Sequence, residues 1–404
     1  MNCHADWPEF RGPMQNGTAT SIDLPLTWGE SENIRWYSNT QGLGWSSPII
    51  HADRIYFTTA INSETDTKED ANPSGSQQLK LVCLDAKSGK ELFSKGIFEQ
   101  PKDSPRIHNK NSHASPTPII VGERVFVHFG HQGTACTDLD GKSIWENRDH
   151  AYPPTHGNGG SPIVVGDKLI VTCDGGSSPS TLALELSTGK QIWKTARTAN
   201  AQRPFSFCTP QWINVDGMEQ IISPGSNIVQ SLSPDNGEIL WSVQYDGYSV
   251  IPRPVFYQGT VFISTGYDTP KLIAIDPTGK GDVTDTHVKW IAQTKSSNTP
   301  SFVCYEDQLV MTSDDGIASG IDVRTGKEVW RKRLGGNYSA SPLLFGNRVY
   351  FQSESGEAVV LELGPKPVEI AKNSLPGRIF ASYAVIENDL IIRTEQGVYR
   401  IGKP

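Results

Sequence analysis

The chain is poor in cysteine, and none of its cysteines stand in metal-binding or redox spacing. The six are Cys3, Cys83, Cys136, Cys173, Cys208 and Cys304. Scattered in this way they argue against a disulfide framework or a zinc site. We read the last five as small buried hydrophobes, one per structural repeat and each in a strand. Runs of basic residues are also missing. A net charge of −8 argues against a nucleic-acid groove, which needs clustered Lys and Arg. No stretch reaches the roughly 18 apolar residues of a membrane helix, and no signal-type hydrophobic region precedes Asp6. No lipobox is visible before Cys3, so an ordinary thiol is expected there. The nucleophile-elbow, zinc-protease and phosphate-loop motifs are absent as well. With these classes removed, a binding role is the leading expectation.

What is present is a repeat. An acidic or polar residue is followed by a turn closed by Gly, then by an aromatic four residues beyond that Gly. The copies are Asp85/Gly89/Phe93, Asp140/Gly141/Trp145, Glu185/Gly189/Trp193, Ser233/Gly237/Trp241 and Asp322/Gly326/Trp330. A sixth has Asp276 and Gly279, with an insertion before Trp290. The glycines are spaced 42 to 52 residues apart, a period that marks a repeat architecture. Each repeat opens on a Ser-Pro-type strand and continues through two further strands to the aromatic one. The runs are short, rich in Val, Ile and aromatics, and bounded by turn residues. Four strands per repeat make a propeller blade. Gly closes the tight turn because it takes positive φ without a Cβ clash. The indole is expected to wedge between neighbouring blades.

The aromatic positions Trp36, Phe93, Trp145, Trp193, Trp241, Trp290, Trp330 and a degenerate one near Ile370 make eight. After residue 370 only three strands remain, and the segment 33–36 has no blade before it. A three-stranded last blade would expose unpaired backbone groups. The expected fold is therefore all-β. It is an eight-bladed propeller of four-stranded antiparallel blades, closed by an N-terminal strand that completes the last blade. Residues 1–32 are read as a leader packed on the ring and 33–404 as one propeller domain. In the leader, Trp7 and Phe10 are expected to fill an apolar groove, and Arg11 to form a structural ion pair.

The A-x-D-x-x-T-G-x-x-x-W pattern resembles the tryptophan-docking repeat of quinoprotein dehydrogenases and of the BamB-type outer-membrane assembly factor. The chain resembles a PQQ-like (pyrroloquinoline quinone) repeat β-propeller. The segments DWPEFRGPMQNG and HGNGGSPIVVGDKLIVTCDGG resemble a branch of that family found in planctomycete-like bacteria. The resemblance implies export, so a periplasmic or cell-envelope location is expected, with the chain a mature or trimmed form. A native start at Met1 with a cytoplasmic location is the other reading.

In a propeller the first strand of each blade lines the channel, and its start shares a rim with the turn between the second and third strands. Six of the nine His lie between residues 108 and 156. Three of them, His113, His131 and His156, fall at such rim positions, whereas His128 reads as a packed core residue. First-strand starts add Trp45, Asn158, Ser206, Tyr248, Arg253, Asn298, Asn337, Tyr338 and Arg378. The candidate ligand-binding set is Trp45, His113, His131, His156, Asn158, Tyr248, Arg253, Asn337 and Tyr338. Polar and aromatic groups converging on a concavity suit a small molecule. Three imidazoles suit a zinc ion with an open position, but no second-shell acid is evident and no metal is expected. The blade 1 insertion carries Glu64, Asp66, Glu69 and Asp70, without the spacing of a calcium loop.

The expected function is a binding or scaffold propeller outside the cytoplasm, monomeric, with a ligand-binding rim at the channel mouth. Its partner is expected to be a protein or a small polar or polyhydroxyl ligand. One alternative is a PQQ-dependent, quinoprotein-like oxidoreductase. No cofactor is expected, and PQQ with calcium is disfavoured because the adjacent cysteines common in that class are missing. The other alternative is a carbohydrate- or small-molecule-active protein that uses the His/Arg/Tyr rim.

Overall fold

The computed structural model describes residues 6–21, 23–62, 71–72, 75–292, 294 and 296–403. Cys3 and the acids Glu64, Asp66, Glu69 and Asp70 lie outside the described residues. The strands form eight sheets arranged as consecutive blades. Blades 1 to 7 span 49–100, 119–147, 163–196, 211–244, 255–291, 303–333 and 343–374. In blade 1, Ile49–His51, Arg54–Asn62, Gln77–Asp85 and Glu91–Gln100 pair antiparallel in chain order. Blade 8 contains Ala384–Ile386, Asp389–Arg393 and Gly397–Ile401, and its outermost strand is Ile34–Asn39 from near the start of the chain. Tyr37 faces Tyr399 and Asn39 faces Gly397 in that antiparallel pair. The ring closes as expected, because this strand covers an edge that would otherwise be unpaired.

Middle strands are apolar on both faces because a blade lies against each side of them. Arg54–Asn62 is buried nearly throughout, whereas the outer strand Ile34–Asn39 alternates with a period of two. An apolar cluster sits at each seam between blades. One example joins Ile163, Ile170 and Trp193 of blade 3 to Ile221 and Leu232 of blade 4. The cluster around the closing blade is joined by Trp7, Leu24 and Trp28 of the leader.

The repeat motif explains the seams. In Gly89, Gly189, Gly237 and Gly326, φ lies between 70° and 73°. A Cβ at each would lie 2.4–2.6 Å from an atom of Trp36, Trp145, Trp193 or Trp290, the aromatic of the preceding blade. The same indoles donate Nε1–H to the turn they cover, at Ala86 O, Leu186 O, Pro234 O and Val323 O, 2.9–3.1 Å away. Only Gly lets the ring approach a left-handed turn so closely. Trp241 and Trp330 depart from this pattern and bond Gln220 Oε1 and Gln308 Oε1 within their own blades. In the second copy the turn is held by Asp138, whose carboxylate accepts from the Asp140 and Lys142 amides. The acidic position of this copy is therefore Asp138 rather than Asp140, in a turn one residue shorter than those of the copies at Gly89, Gly189, Gly237 and Gly326, and Asp140 pairs with Arg54 at 2.7 Å instead. The insertion before Trp290 supplies Gly281–Asp282, which adds a short parallel strand to the outside of blade 4.

The leader crosses the end of the ring that carries the hairpins between first and second strands. Asp6 bonds His51 and the Ala52 amide, Trp7 pairs with Ile50, and Thr18–Ala19 runs parallel to Leu343–Phe345. Arg11 is buried, but its guanidinium donates to the carbonyls of Asn16 and Phe302 rather than to a carboxylate. Burial and the nearby Arg253 push its pKa down to about 9. The ion pair expected of Arg11 belongs instead to Glu9 and Arg253.

Candidate functional site

A ring of hydroxyls forms the wall of the channel. Two positions ahead of each first strand, one residue beside the proline position carries the motif. These residues are Ser47, Thr117, Ser161, Thr209, Arg253, Ser301, Ser341 and Ser382. The residue before Pro is held extended, and Pro is tolerated at this innermost edge because it has no N–H to leave unpaired. Each backbone amide donates to the hydroxyl of the next blade. Ser47 N–H bonds Thr117 Oγ1, Thr117 bonds Ser161, and Ser161 bonds Thr209, all at 2.9 Å. Arg253 bonds Ser301, Ser301 bonds Ser341, Ser341 bonds Ser382, and Ser382 returns to Ser47, at 2.9–3.0 Å. The one gap falls between blades 4 and 5, where Arg253 replaces the hydroxyl. Its Nε spans that gap by donating to Pro210 O at 3.2 Å.

These hydroxyls line a cavity of about 840 Å3 on the channel axis. That volume lies within the roughly 300–1,000 Å3 of small-molecule sites. Phe10 of the leader closes one end. Arg253 lies beyond it, fully buried, donating to Phe10 O at 2.7 Å and to Glu9 at 3.4–3.5 Å. Burial raises the Glu9 pKa and lowers that of Arg253, because desolvation outweighs their mutual attraction.

At the opposite end the linker between blades 1 and 2 overhangs the mouth. Ile107 is bonded to Asn72 through both its amide and its carbonyl, and His108 N–H donates to His156 O. Lys110 Nζ reaches Glu354 of blade 7 at 2.9 Å. His108 Nδ1 accepts the Lys110 amide at 3.2 Å, leaving its proton on Nε2. Burial, with His156 and Lys110 beside it, lowers the His108 pKa.

Three of the nine candidate residues line this cavity: Trp45, His156 and Tyr248. Trp45 packs on Phe380 with centroids 4.6 Å apart, and the Arg378 guanidinium lies 5.6 Å from the Trp45 ring. Tyr248 sits among Phe205, Tyr267 and the Arg203 guanidinium, which also donates to its hydroxyl. His156, at φ 65°, is in edge contact with Phe205. Asn298, another first-strand start, lines the wall too.

The other six are placed elsewhere. Arg253 lies beneath the floor. Tyr338 is 1% exposed and packs in the core between blades 6 and 7, so its neighbour Ser339 forms the wall. Asn337 faces solvent, and its carbonyl accepts the Glu354 amide. Asn158 is buried, pinned by Tyr152 OH at 2.7 Å and by His131 at 3.2 Å. His113, within the linker, and His131, in the turn after the second strand of blade 2, are absent from the cavity lining, and burial pushes each pKa down to about 4. His128 is a core residue bonded to Thr134 Oγ1 at 2.8 Å. Among the described residues, no three His, Cys, Asp or Glu side chains gather as a metal ion would require. Cys83, Cys136, Cys173 and Cys208 are buried free thiols. Cys208 lies ahead of its blade's first strand rather than within it.

Sequence reasoning missed Phe205, Phe207, Tyr267, Asp314 and Phe380, all on the wall. Asp314 accepts from the Asn298 and Thr299 amides and from the Thr299 hydroxyl. Burial still raises its pKa above the usual carboxylate value. The hydroxyl ring was in view in the repeated Ser-Pro and Thr-Pro pairs, which we read only as strand openings.

The matches to known proteins agree with this architecture. A family model described as outer membrane protein assembly factor BamB matches residues 30–205 and 225–365. An uncharacterized protein of Rickettsia conorii is 28% identical over 171 residues, covering 40% of this chain and 37% of that protein. The outer membrane protein assembly factor BamB of Burkholderia pseudomallei is 30% identical over 117 residues, covering 28% of this chain and 30% of that protein. The chain thus spans about a third of the length of these curated relatives. Among solved structures, BamB from Moraxella catarrhalis superposes with a TM-score of 0.62 at 15% identity, covering 91% of this chain and 96% of that one. A europium-containing methanol dehydrogenase gives 0.64 at 10% identity, covering 98% and 90%. At these identities the structural likeness speaks for the fold alone. Among the described residues, no helix is long and apolar enough to cross a membrane. The family match, the eight closed blades and the tryptophan-docked seams together make this chain a member of the BamB-like family of PQQ-like repeat β-propellers.

Proposed function

We propose that this protein is a binding propeller of the cell envelope that holds a small polar ligand in its central cavity. The observation that carries this reading is the cavity itself, closed by Phe10 at one end and overhung by the 107–111 linker at the other. Its lining combines aromatic faces with a few placed polar groups, the usual composition of a small-molecule site. The envelope location rests on the family, as does a protein partner on the outer surface.

The reading includes no quinone. PQQ carries several carboxylates and in this class is bound with calcium. Asp314 is the only acid among the described residues of the wall, and none of the described cysteines lies there. Lys110 is already neutralised by Glu354. These residues do not fit the cofactor. The test is a thermal-shift and titration-calorimetry screen of small polar metabolites, with PQQ plus calcium included. A ligand that binds one to one and loses affinity on Tyr248→Ala supports the reading. A protein that binds nothing but PQQ, or nothing at all, contradicts it.

A further inference from the structure

The cavity wall is not uniform around the axis, and its arrangement points to a class of ligand. This inference rests on the reading above. Trp45 precedes the first strand of blade 1 and Phe380 that of blade 8, and the two rings are in contact. Phe205 precedes blade 4 and Tyr248 precedes blade 5, again in contact, with centroids 5.6 Å apart. In a ring of eight, blades 8 and 1 stand opposite blades 4 and 5. The two aromatic pairs therefore face one another across the channel.

The quarters between them are polar. On the side of blades 2 and 3 stand His108, Asn111 and His156; on the side of blades 6 and 7 stand Asn298, Asp314 and Ser339. Toward the floor, the seven wall hydroxyls each accept one backbone amide and have no acceptor for their own proton among the described residues. Such a hydroxyl can still donate.

Two apolar walls alternating with two polar ones match a pyranose ring. Its faces are C–H surfaces that stack on aromatics, and its rim carries hydroxyls that both donate and accept. Charge narrows the class. Asp314 would repel a carboxylate or sulfate, the Lys110 charge is matched by Glu354, and Arg203 lies against Tyr248. We propose that the cavity takes the end of a neutral oligosaccharide, inserted along the propeller axis between the two aromatic walls.

The experiment is titration calorimetry, with tryptophan fluorescence as a second readout, using cellotriose, maltotriose and chitotriose. Trigalacturonate and AMP serve as comparators of similar size. At least one neutral trisaccharide is expected to bind one to one and to perturb tryptophan emission. Trp45→Ala and Tyr267→Ala should each weaken it by about tenfold or more. Tyr267 is 52% exposed, so its replacement keeps the test sound if the Trp45 variant folds poorly. Silence from all three neutral sugars while AMP or trigalacturonate binds overturns the saccharide assignment and leaves the cavity as a site. Saccharide binding that both variants leave unchanged places the sugar elsewhere and overturns it as well. Silence from every compound here and in the wider screen overturns the binding reading itself.

Discussion

The seams between blades and the collar of the central cavity are built from the same repeats, yet they use them in opposite ways. At the seams the repeat is followed closely. Four indoles cover the Gly turn of the next blade and donate to a carbonyl there. At the collar it is abandoned. The residues just ahead of the first strands are Trp45 in blade 1, Phe205 and Phe207 in blade 4, Tyr248 in blade 5 and Phe380 in blade 8. The hydroxyl ring lies between these extremes, with one position of eight given to Arg253. Where a position repeats, it joins blades. Where it varies, it faces the central cavity or the leader that closes it.

Removing the closing strand gives the largest expected effect. A chain lacking residues 1–39 loses the outer strand of blade 8 and the leader's contribution to the core around it. It should aggregate or lose its cooperative thermal transition, as read by calorimetry and light scattering. A monomer that melts like the parent would show that the ring closes without that strand.

Trp193→Ala comes next. The indole is 6% exposed, packs on Gly237 and bonds Pro234 O. Truncation should cost about 3–5 kcal/mol, the range for buried large aromatics, measured by denaturant unfolding. An unchanged midpoint would break the account of the seams.

A smaller effect follows from the buried histidines. His113, His128 and His131 have folded pKa values near 4 against an ordinary 6.5. Between those values the unfolded chain binds more protons. Stability should therefore fall as pH drops from about 6.5 toward 4, by up to ~1.4 kcal/mol per pH unit for each histidine. The raised carboxyls of Glu9, Asp314 and Asp174, the last buried against Arg197 at 2.8 Å, act in the opposite sense as pH falls toward their ordinary value. Denaturant midpoints at pH 7 and pH 5 should differ less in His128→Asn than in the parent. An equal difference in both would rule out His128 as a contributor.

The seams were legible in the sequence because their chemistry repeats. Period, Gly turn and aromatic fixed blade number and closure, down to the role of Ile34–Asn39. The collar was legible only in part. Trp45, His156 and Tyr248 were found by aligning first-strand starts, but that alignment cannot tell which of two adjacent side chains faces the axis. One residue of offset exchanges Tyr338 for Ser339, since successive side chains in extended chain point to opposite sides. Arg253 was misjudged for a different reason. It takes a hydroxyl's place in the ring, and its long side chain turns toward Glu9 in a leader whose path no repeat dictates.

The most direct test is the separability of seam and collar. The melting temperature of Tyr248→Ala/Tyr267→Ala should be compared with that of Trp193→Ala. Tyr248 is half-buried and Tyr267 exposed on the cavity wall, so the double variant should melt close to the parent while Trp193→Ala melts well below it. A double variant that melts as low as Trp193→Ala would contradict the account, because the collar would then be part of what holds the ring together.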